Sequence, residues 1–133
     1  MLSLLLSLAL SAEPTDVVKL KDAARFAIAD DKGEVSILIQ KDVAVSRLTM
    51  QPGAKVPEHM HEGSSETLVV LEGTCTLVLR GTTYVLVAGD AVNIAKGDKH
   101  SAAVPVDAKG AFVAVQIYSP AGPEQRFTKG KKL

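Results

Sequence analysis

The three histidines of this chain are placed in a way that could bind a metal ion. His59 and His61 are one residue apart, Glu66 follows five positions after the second, and His100 lies far downstream. Alternate residues of a β-strand point to the same face, so the two neighbouring imidazoles can reach one point in space. If the apolar run that Glu66 begins pairs near the His-Met-His strand, the carboxylate can reach the same point.

Two neutral imidazoles and a carboxylate on a rigid β surface provide the nitrogen and oxygen donors of a metal site. The alternative is that these polar residues merely line a solvent-exposed loop, and a His-x-His pair alone does not exclude it. The same residues therefore predict either a metal site or an exposed loop, depending on the elements around them.

Those elements have the pattern of strands rather than helices. Short runs rich in β-branched residues alternate with turns such as Glu72-Gly73 and Arg80-Gly81, which is typical of an all-β sandwich or barrel. Only residues 19–29 could form a helix, and within them residues 26–29 could equally be a strand. The predicted strands are residues 35–40, 43–50, 67–71, 74–79, 82–87, 91–95, 101–104 and 111–118.

The 133 residues suffice for one domain with one core. Residues 1–12 read as a secretory signal segment, because a Leu-rich run is followed by small residues, although no basic residue precedes it. The alternative is a hydrophobic first helix of the fold. We therefore expect a secreted or periplasmic protein, or a cytoplasmic one if the segment is not a signal, with a β-domain over residues 13–118 and a loose C-terminal tail over 119–133.

Composition narrows the class of partner. The 15 basic and 15 acidic residues balance, which argues against nucleic acid and, once a signal is removed, against a membrane surface. Cys75 is the single cysteine, so no internal disulfide can form, and its strand-like neighbours favour a buried thiol over a nucleophile. A small-molecule ligand is the expected partner.

Two segments of the sequence resemble the motifs of the cupin family. The first motif is a Gly, five residues, His-x-His, three or four residues, Glu, six residues and Gly, and this chain has four residues between His61 and Glu66. The second motif carries a Gly, a Gly and a His at fixed spacing. The second motif departs from the family at Ala95, where a Pro is usual, and at Val104, where an Asn is usual. The matching positions are Gly53, His59, His61, Glu66, Gly73, Gly89, Gly97 and His100.

The resemblance implies an antiparallel double-stranded β-helix, the cupin jelly-roll barrel. It also implies that His100 joins the first three residues, so that the metal ligands are His59, His61, Glu66 and His100. One divalent transition metal per chain follows from this ligand set, with Mn, Fe, Zn, Ni and Cu all compatible.

The resemblance further implies a metalloenzyme that acts on a small oxygenated metabolite, with dioxygenase-type chemistry as the leading reaction class. The alternatives are a non-catalytic domain that binds or senses a metal or small molecule, and a stable barrel with a vestigial site. A homodimer is expected from the family. The sequence identifies no catalytic side chain: Gln116 could face the barrel interior or solvent, and Tyr84 is predicted to pack in the core.

Overall fold

The computed structural model describes residues 16–133, which form two antiparallel β-sheets facing each other. The bounds of the elements follow the chain in order. A 3-10 helix at Leu20–Asp22 precedes β1 (Ala24–Ile28), β2 (Gly33–Gln40), β3 (Ala44–Met50), β4 (Lys55–His59), β5 (Ser65–Glu72), β6 (Thr74–Leu79), β7 (Thr82–Val87), β8 (Ala91–Ile94), β9 (His100–Ala103), β10 (Phe112–Ser119) and the C-terminal helix, a second 3-10 helix at Pro123–Lys129.

The strands form where apolar and polar side chains alternate. In β3 and β6, every second residue is buried, as expected when one face of a sheet covers a core and the other meets solvent. The buried side chains of both sheets meet between them, where Met50, Leu77 and Phe112 are almost fully enclosed. Burial of this apolar surface holds the two sheets together.

The strand order gives the topology. The larger sheet has the order β1-β2-β3-β10-β5-β8, and the smaller one β4-β9-β6-β7, with every pairing antiparallel. Strands that are neighbours in a sheet are often distant in the chain, so consecutive segments cross between the sheets. The predicted all-β class and the antiparallel jelly roll are confirmed.

Three local predictions are wrong. Residues 19–29 contain only a short 3-10 turn, and Ala24–Ile28 is a strand, because it pairs along its length with β2. Tyr84 does not pack in the core: it is 45% exposed on β7, the outer strand of the smaller sheet. The strand list also omitted β4, a short strand in which only Val56 and His59 are half-buried and which therefore shows no regular alternation.

The C-terminal segment, predicted as a loose tail, packs against the larger sheet. Phe127 is buried in a cluster with Phe26 and Tyr118, and Glu124 of the same helix is 1% exposed. The backbone N–H of Ala27 donates to the carbonyl of Lys131, so the end of the chain also covers the free edge of β1. Two aromatic side chains and a covered strand edge explain why this segment is ordered.

The predicted secretory segment, residues 1–12, lies outside the described residues. Neither of the two short helices within residues 16–133 has the length and apolar character that crossing a membrane requires.

Candidate metal centre

His59 and His100 stand side by side because their strands pair. β4 and β9 are antiparallel neighbours, and their register places His59 directly opposite His100. The two imidazole centroids are 4.2 Å apart. Directly opposed residues on one sheet face have adjacent side chains, so the sheet itself sets this contact. A local irregularity in the ladder between Val56 and His59 ends the regular pairing at this point.

His61 reaches the same place from just beyond the strand. The sequence predicted one strand that contains both histidines, but β4 ends at His59 and leaves His61 outside it. The ring centroid of His61 nevertheless lies 5.0 Å from that of His59. Met60 between them is 42% exposed and points away. The side chains of His59 and His61 therefore share one face, as their spacing predicted, although the hydrogen bonds of the strand end at His59.

Glu66 arrives from the opposite sheet. Its strand, β5, pairs with β10 and β8 and not with β4, so the expected pairing near the histidine strand does not occur. Because the two sheets face each other, the inward-facing carboxylate crosses the gap instead. Its Oε2 lies 3.2 Å from Nε2 of His61 and 3.1 Å from Nε2 of His100.

Together these four side chains form a compact donor cluster. One ligand atom from each of His59, His61, Glu66 and His100 lies within 4.8 Å of every other. A transition metal bound about 2.1 Å from each donor would separate opposite donors by about 4 Å, so a small contraction would suffice. Both Glu66 and His100 are only 4% exposed, so the cluster is not a solvent-exposed loop.

Backbone carbonyls orient two of the imidazoles. Nδ1 of His59 lies 2.8 Å from the carbonyl oxygen of Pro57, and Nδ1 of His100 lies 2.8 Å from that of Asp98. Since a carbonyl can only accept, each Nδ1 must carry the proton and donate it. In the neutral ring, Nε2 is then left with a lone pair that faces the cluster, which is the arrangement of metal-binding histidines.

Gln116 orients the carboxylate. Its Nε2 donates a 2.7 Å hydrogen bond to Oε1 of Glu66, and the side chain is only 4% exposed. The sequence left open whether Gln116 faces inward or outward, and the structure places it inward. Because Oε1 is occupied, Oε2 is the oxygen that faces the histidines.

The residues fit a metal ion. Nε2 of His61 is buried without a hydrogen-bond partner, although it lies 3.2 Å from the Glu66 oxygen. A buried ring nitrogen without a partner is costly in a protein interior, and a cation between it and the carboxylate would remove that cost. The cluster is therefore able to bind a metal ion.

The electrostatics of the cluster favour an ionised carboxylate. Burial acts to raise the pKa of Glu66, but the neighbouring side chains of His100, His61 and Gln116 outweigh burial and hold the pKa well below its usual range. Burial lowers the pKa of His59. In His100 burial acts in the same direction, but the hydrogen bond to Glu66 and that to the Asp98 carbonyl outweigh it, and its pKa is raised.

A cavity of about 630 Å³ extends from the cluster into the barrel. His59, Glu66, His100 and Gln116 line one part of it. Most of the remaining wall is apolar and comes from the inner faces of both sheets. The charged residues Asp30 and Lys55 also line the cavity. The apolar wall includes Leu48, Met50, Val56, Leu68, Cys75, Leu77, Leu86, Ala102 and Phe112. Cys75 is buried, as predicted, and burial raises the pKa of its thiol to about 11.

Arg126 is a cavity residue that the sequence prediction missed. It belongs to the C-terminal helix and lines the cavity together with Phe127. The signal available was an aromatic residue next to a charged one in a segment without strand periodicity, which is weak. Its position depends on how Phe127 packs against Tyr118, a contact that no local pattern predicts.

The comparisons with known proteins agree with this geometry. The family model described as "Cupin domain" matches residues 46–116, more than half of the chain and all four donor residues. A quercetin 2,3-dioxygenase from Bacillus subtilis (strain 168) is 41% identical over 49 residues, which cover 37% of this chain but 14% of that enzyme. The chain thus spans about one seventh of the length of this relative.

Solved structures share the fold at low identity. An RmlC-like cupin from Shewanella frigidimarina has a TM-score of 0.72 at 19% identity, over 84% of this chain and 96% of its own. KdgF from Halomonas sp. has a TM-score of 0.71 at 17% identity, over 85% and 99%. A predicted oxalate decarboxylase from Thermotoga maritima has a TM-score of 0.69 at 22% identity, over 79% and 99%. With both motifs inside the matched segment and the barrel formed around them, the chain belongs to the cupin family.

Proposed function

We propose that this protein is a metalloenzyme that oxidises a small oxygenated molecule, with dioxygenase-type chemistry. The observation that carries the proposal is the donor cluster at the wall of a large cavity. Four protein donors leave positions on an octahedral ion open to an exogenous ligand, and the cavity provides the room for one.

The ligand set is that of a divalent transition metal, with Mn, Fe, Zn, Ni and Cu as the candidates. His59, His61 and His100 would supply the nitrogens and Glu66 the oxygen. A metal held there would polarise or activate the oxygen atoms of a substrate. Gln116 keeps Oε1 of Glu66 occupied, and the carbonyls of Pro57 and Asp98 keep two imidazoles in the required tautomer.

The cavity supports a substrate with an apolar body. At about 630 Å³ it has the size of a pocket for a small organic ligand, and its inner wall is aliphatic and aromatic. Apart from the charged Asp30, Lys55 and Arg126, its polar side chains are those of the histidine cluster and Gln116. A molecule with oxygen donors at one end and an apolar remainder would satisfy both parts, and the name of the Bacillus relative, a quercetin dioxygenase, supports such chemistry.

Metal content is the first test. Protein purified without chelator should contain close to one transition metal per chain, and His61→Ala should lose it. Met60→Ala is the matched control, because Met60 is the adjacent exposed residue and points away from the cluster. Absence of metal in the wild type, with no uptake of any of the five candidate ions, would contradict the proposal.

Turnover separates an enzyme from a binding domain. We expect metal-loaded protein to consume oxygen when given quercetin or a dihydroxybenzoate, and the metal-free form to remain inactive. Ligand binding without oxygen uptake or product, measured with each candidate metal, would instead favour the non-catalytic alternative. A folded barrel that binds neither metal nor ligand would support a vestigial site.

A homodimer is proposed through β7. This strand is an edge of the smaller sheet, it contains neither a charge nor a proline, and Val85 on it is 63% exposed. Natural edge strands are usually protected against pairing, so an unprotected one fits pairing with a second copy. Val85→Lys should give a monomer by light scattering, whereas Val106→Lys, at an exposed valine outside the strands, should not. A monomeric wild type would contradict the proposal.

Export is proposed from residues 1–12 alone. The test is sequencing of the mature N-terminus of protein recovered from the periplasm or the culture medium. A start near residue 12 or 13 would support export, and an uncleaved protein in the cytosol would contradict it.

A further inference from the structure

Arg126 is held at the cavity by two aromatic side chains. One guanidinium nitrogen, Nη2, donates a 3.2 Å hydrogen bond to the hydroxyl of Tyr118, and Cζ lies 4.9 Å from the centroid of the Phe127 ring. Tyr118 is fully buried and packs edge-on against the ring of His61, with centroids 5.1 Å apart. The guanidinium is therefore anchored near the donor cluster, and its other N–H groups remain free to bind a ligand at the exposed side of the cavity.

Arg126 forms no ion pair with an acidic residue of the described chain. The ion pairs found among residues 16–133 involve other cations. Glu124, the acid on the same helix, directs its two carboxylate oxygens to the backbone N–H of Gly122 and to the amide of Gln40. An arginine at a largely apolar cavity is thus without a protein carboxylate to bind.

The charge at this site is positive when a metal is bound. A divalent ion with the Glu66 carboxylate and three neutral imidazoles carries one net positive charge, and Arg126 adds a second. The other two charged residues that line the cavity, Asp30 and Lys55, cancel each other. Arg126 is exposed to solvent, which weakens the repulsion between the metal site and the guanidinium but does not remove it. An anionic ligand between the two cations would relieve that repulsion.

We infer that Arg126 binds a carboxylate of the substrate whose remaining oxygen donors face the histidine cluster. Arginine suits this role because its planar fork matches both oxygens of a carboxylate. The inference rests on the proposed function and narrows it to a class of substrate: small, largely apolar acids with a neighbouring pair of oxygen donors, such as dihydroxybenzoic acids.

The test compares ligands that differ only in the carboxylate. Catechol, 2,3-dihydroxybenzoate and 3,4-dihydroxybenzoate share the same oxygen pair, and their binding to Zn²⁺-loaded protein can be measured by calorimetry. We expect at least one of the acids to bind about tenfold more tightly than catechol, the difference that a charge-assisted hydrogen bond commonly makes.

Variants at two positions of the C-terminal helix show whether Arg126 causes the tighter binding of the acid. Arg126→Gln should remove the preference for the acid over catechol, whereas Arg126→Lys should retain part of it. Lys129→Gln removes the same charge from the same helix at an exposed position that does not line the cavity, and it should keep the preference.

Catechol binding without any preference for either acid would overturn the inference and leave the proposed function intact. A preference that survives in Arg126→Gln would overturn it as well. Protein that takes up none of the five candidate ions would contradict the proposed function, and the inference would fail with it.

Discussion

Gln116 and Glu66 form a buried pair in which the amide selects the carboxylate oxygen that faces the histidines. They lie on adjacent strands: Glu66 is opposite Tyr118 and Gln116 is opposite Leu68, so the two are diagonal neighbours on one inward face. The 2.7 Å bond from Nε2 to Oε1 leaves Oε2 between the rings of His61 and His100. The position of the carboxylate is therefore set by a residue that is itself no metal ligand.

Replacing Gln116 should weaken metal binding without unfolding the barrel. In Gln116→Leu, Oε1 of Glu66 loses its donor and the carboxylate can rotate, so we expect metal affinity to fall by about 10- to 100-fold, the usual range for partners of ligands. Competition with a chromogenic chelator measures the affinity. Asn93→Leu is the control, since it removes an amide whose only bond within residues 16–133 is exposed, to Thr67. Equal affinities in the wild type and Gln116→Leu would contradict the role of the pair.

The metal ligands were predictable from the sequence because their signal is local. The spacing of His59 and His61 indicates a shared face whether or not the strand hydrogen bonds continue, and the motif resemblance added Glu66 and His100. The sequence wrongly predicted that the strand of Glu66 pairs with the histidine strand, whereas it lies in the opposite sheet. Alternation shows which residues face inward, but it does not show which sheet a strand joins.

The rest of the site depends on contacts between distant segments. The alternation of residues around Gln116 is the same whether its side chain points into the barrel or out to solvent. The direction is decided by the pairing of β10 between β3 and β5. Arg126 lies in a segment without strand periodicity that is ordered by packing of Phe127 on the larger sheet. Tertiary contacts of this kind produce no periodic pattern of apolar residues in the sequence, so they could not be predicted from it.

Glu66 should make the metal-free protein sensitive to acid. In the folded protein its pKa is held below 4.5, the ordinary value of a glutamate side chain, so its contribution to stability is present above that pH and is lost as the pH falls further. The free energy of urea unfolding, measured in chelator between pH 6 and 3, should fall less steeply in Glu66→Gln than in the wild type.

Glu34 provides the control for the loss of stability at acid pH. Its pKa is also lowered, by a hydrogen bond from Arg25, but the pair is at the surface, and such pairs contribute little to stability. Glu34→Gln should therefore follow the wild-type profile. If the free energy of unfolding of Glu66→Gln fell with pH as steeply as that of the wild type, the cluster would not stabilise the ionised carboxylate.

Gly73 should tolerate no side chain. It has φ of +77° in the turn between β5 and β6, and a Cβ there would overlap the carbonyl oxygen of Ala111. Gly81 has nearly the same φ, +78°, but open space around it. Both alanine variants should lose about 1 kcal/mol from the left-handed backbone, and Gly73→Ala should lose roughly 1–3 kcal/mol more from the clash. Urea denaturation gives both values, and equal losses would contradict the steric argument.

Cys75 should report on the cavity. Its side chain lines the apolar wall and is 2% exposed, and burial raises the pKa of the thiol to about 11. At pH 8 only about one thiol in a thousand would be ionised, and the thiolate is the reactive form. We expect iodoacetamide to modify the folded protein at least about 100-fold more slowly than the urea-unfolded chain, with Cys75→Ser as the blank. A ligand that fills the cavity should slow the reaction further, because the reagent must reach the sulfur through the same space. Modification of the folded protein at the unfolded rate would mean that Cys75 is not enclosed in the barrel, and the apolar wall of the proposed substrate site would then be wrong.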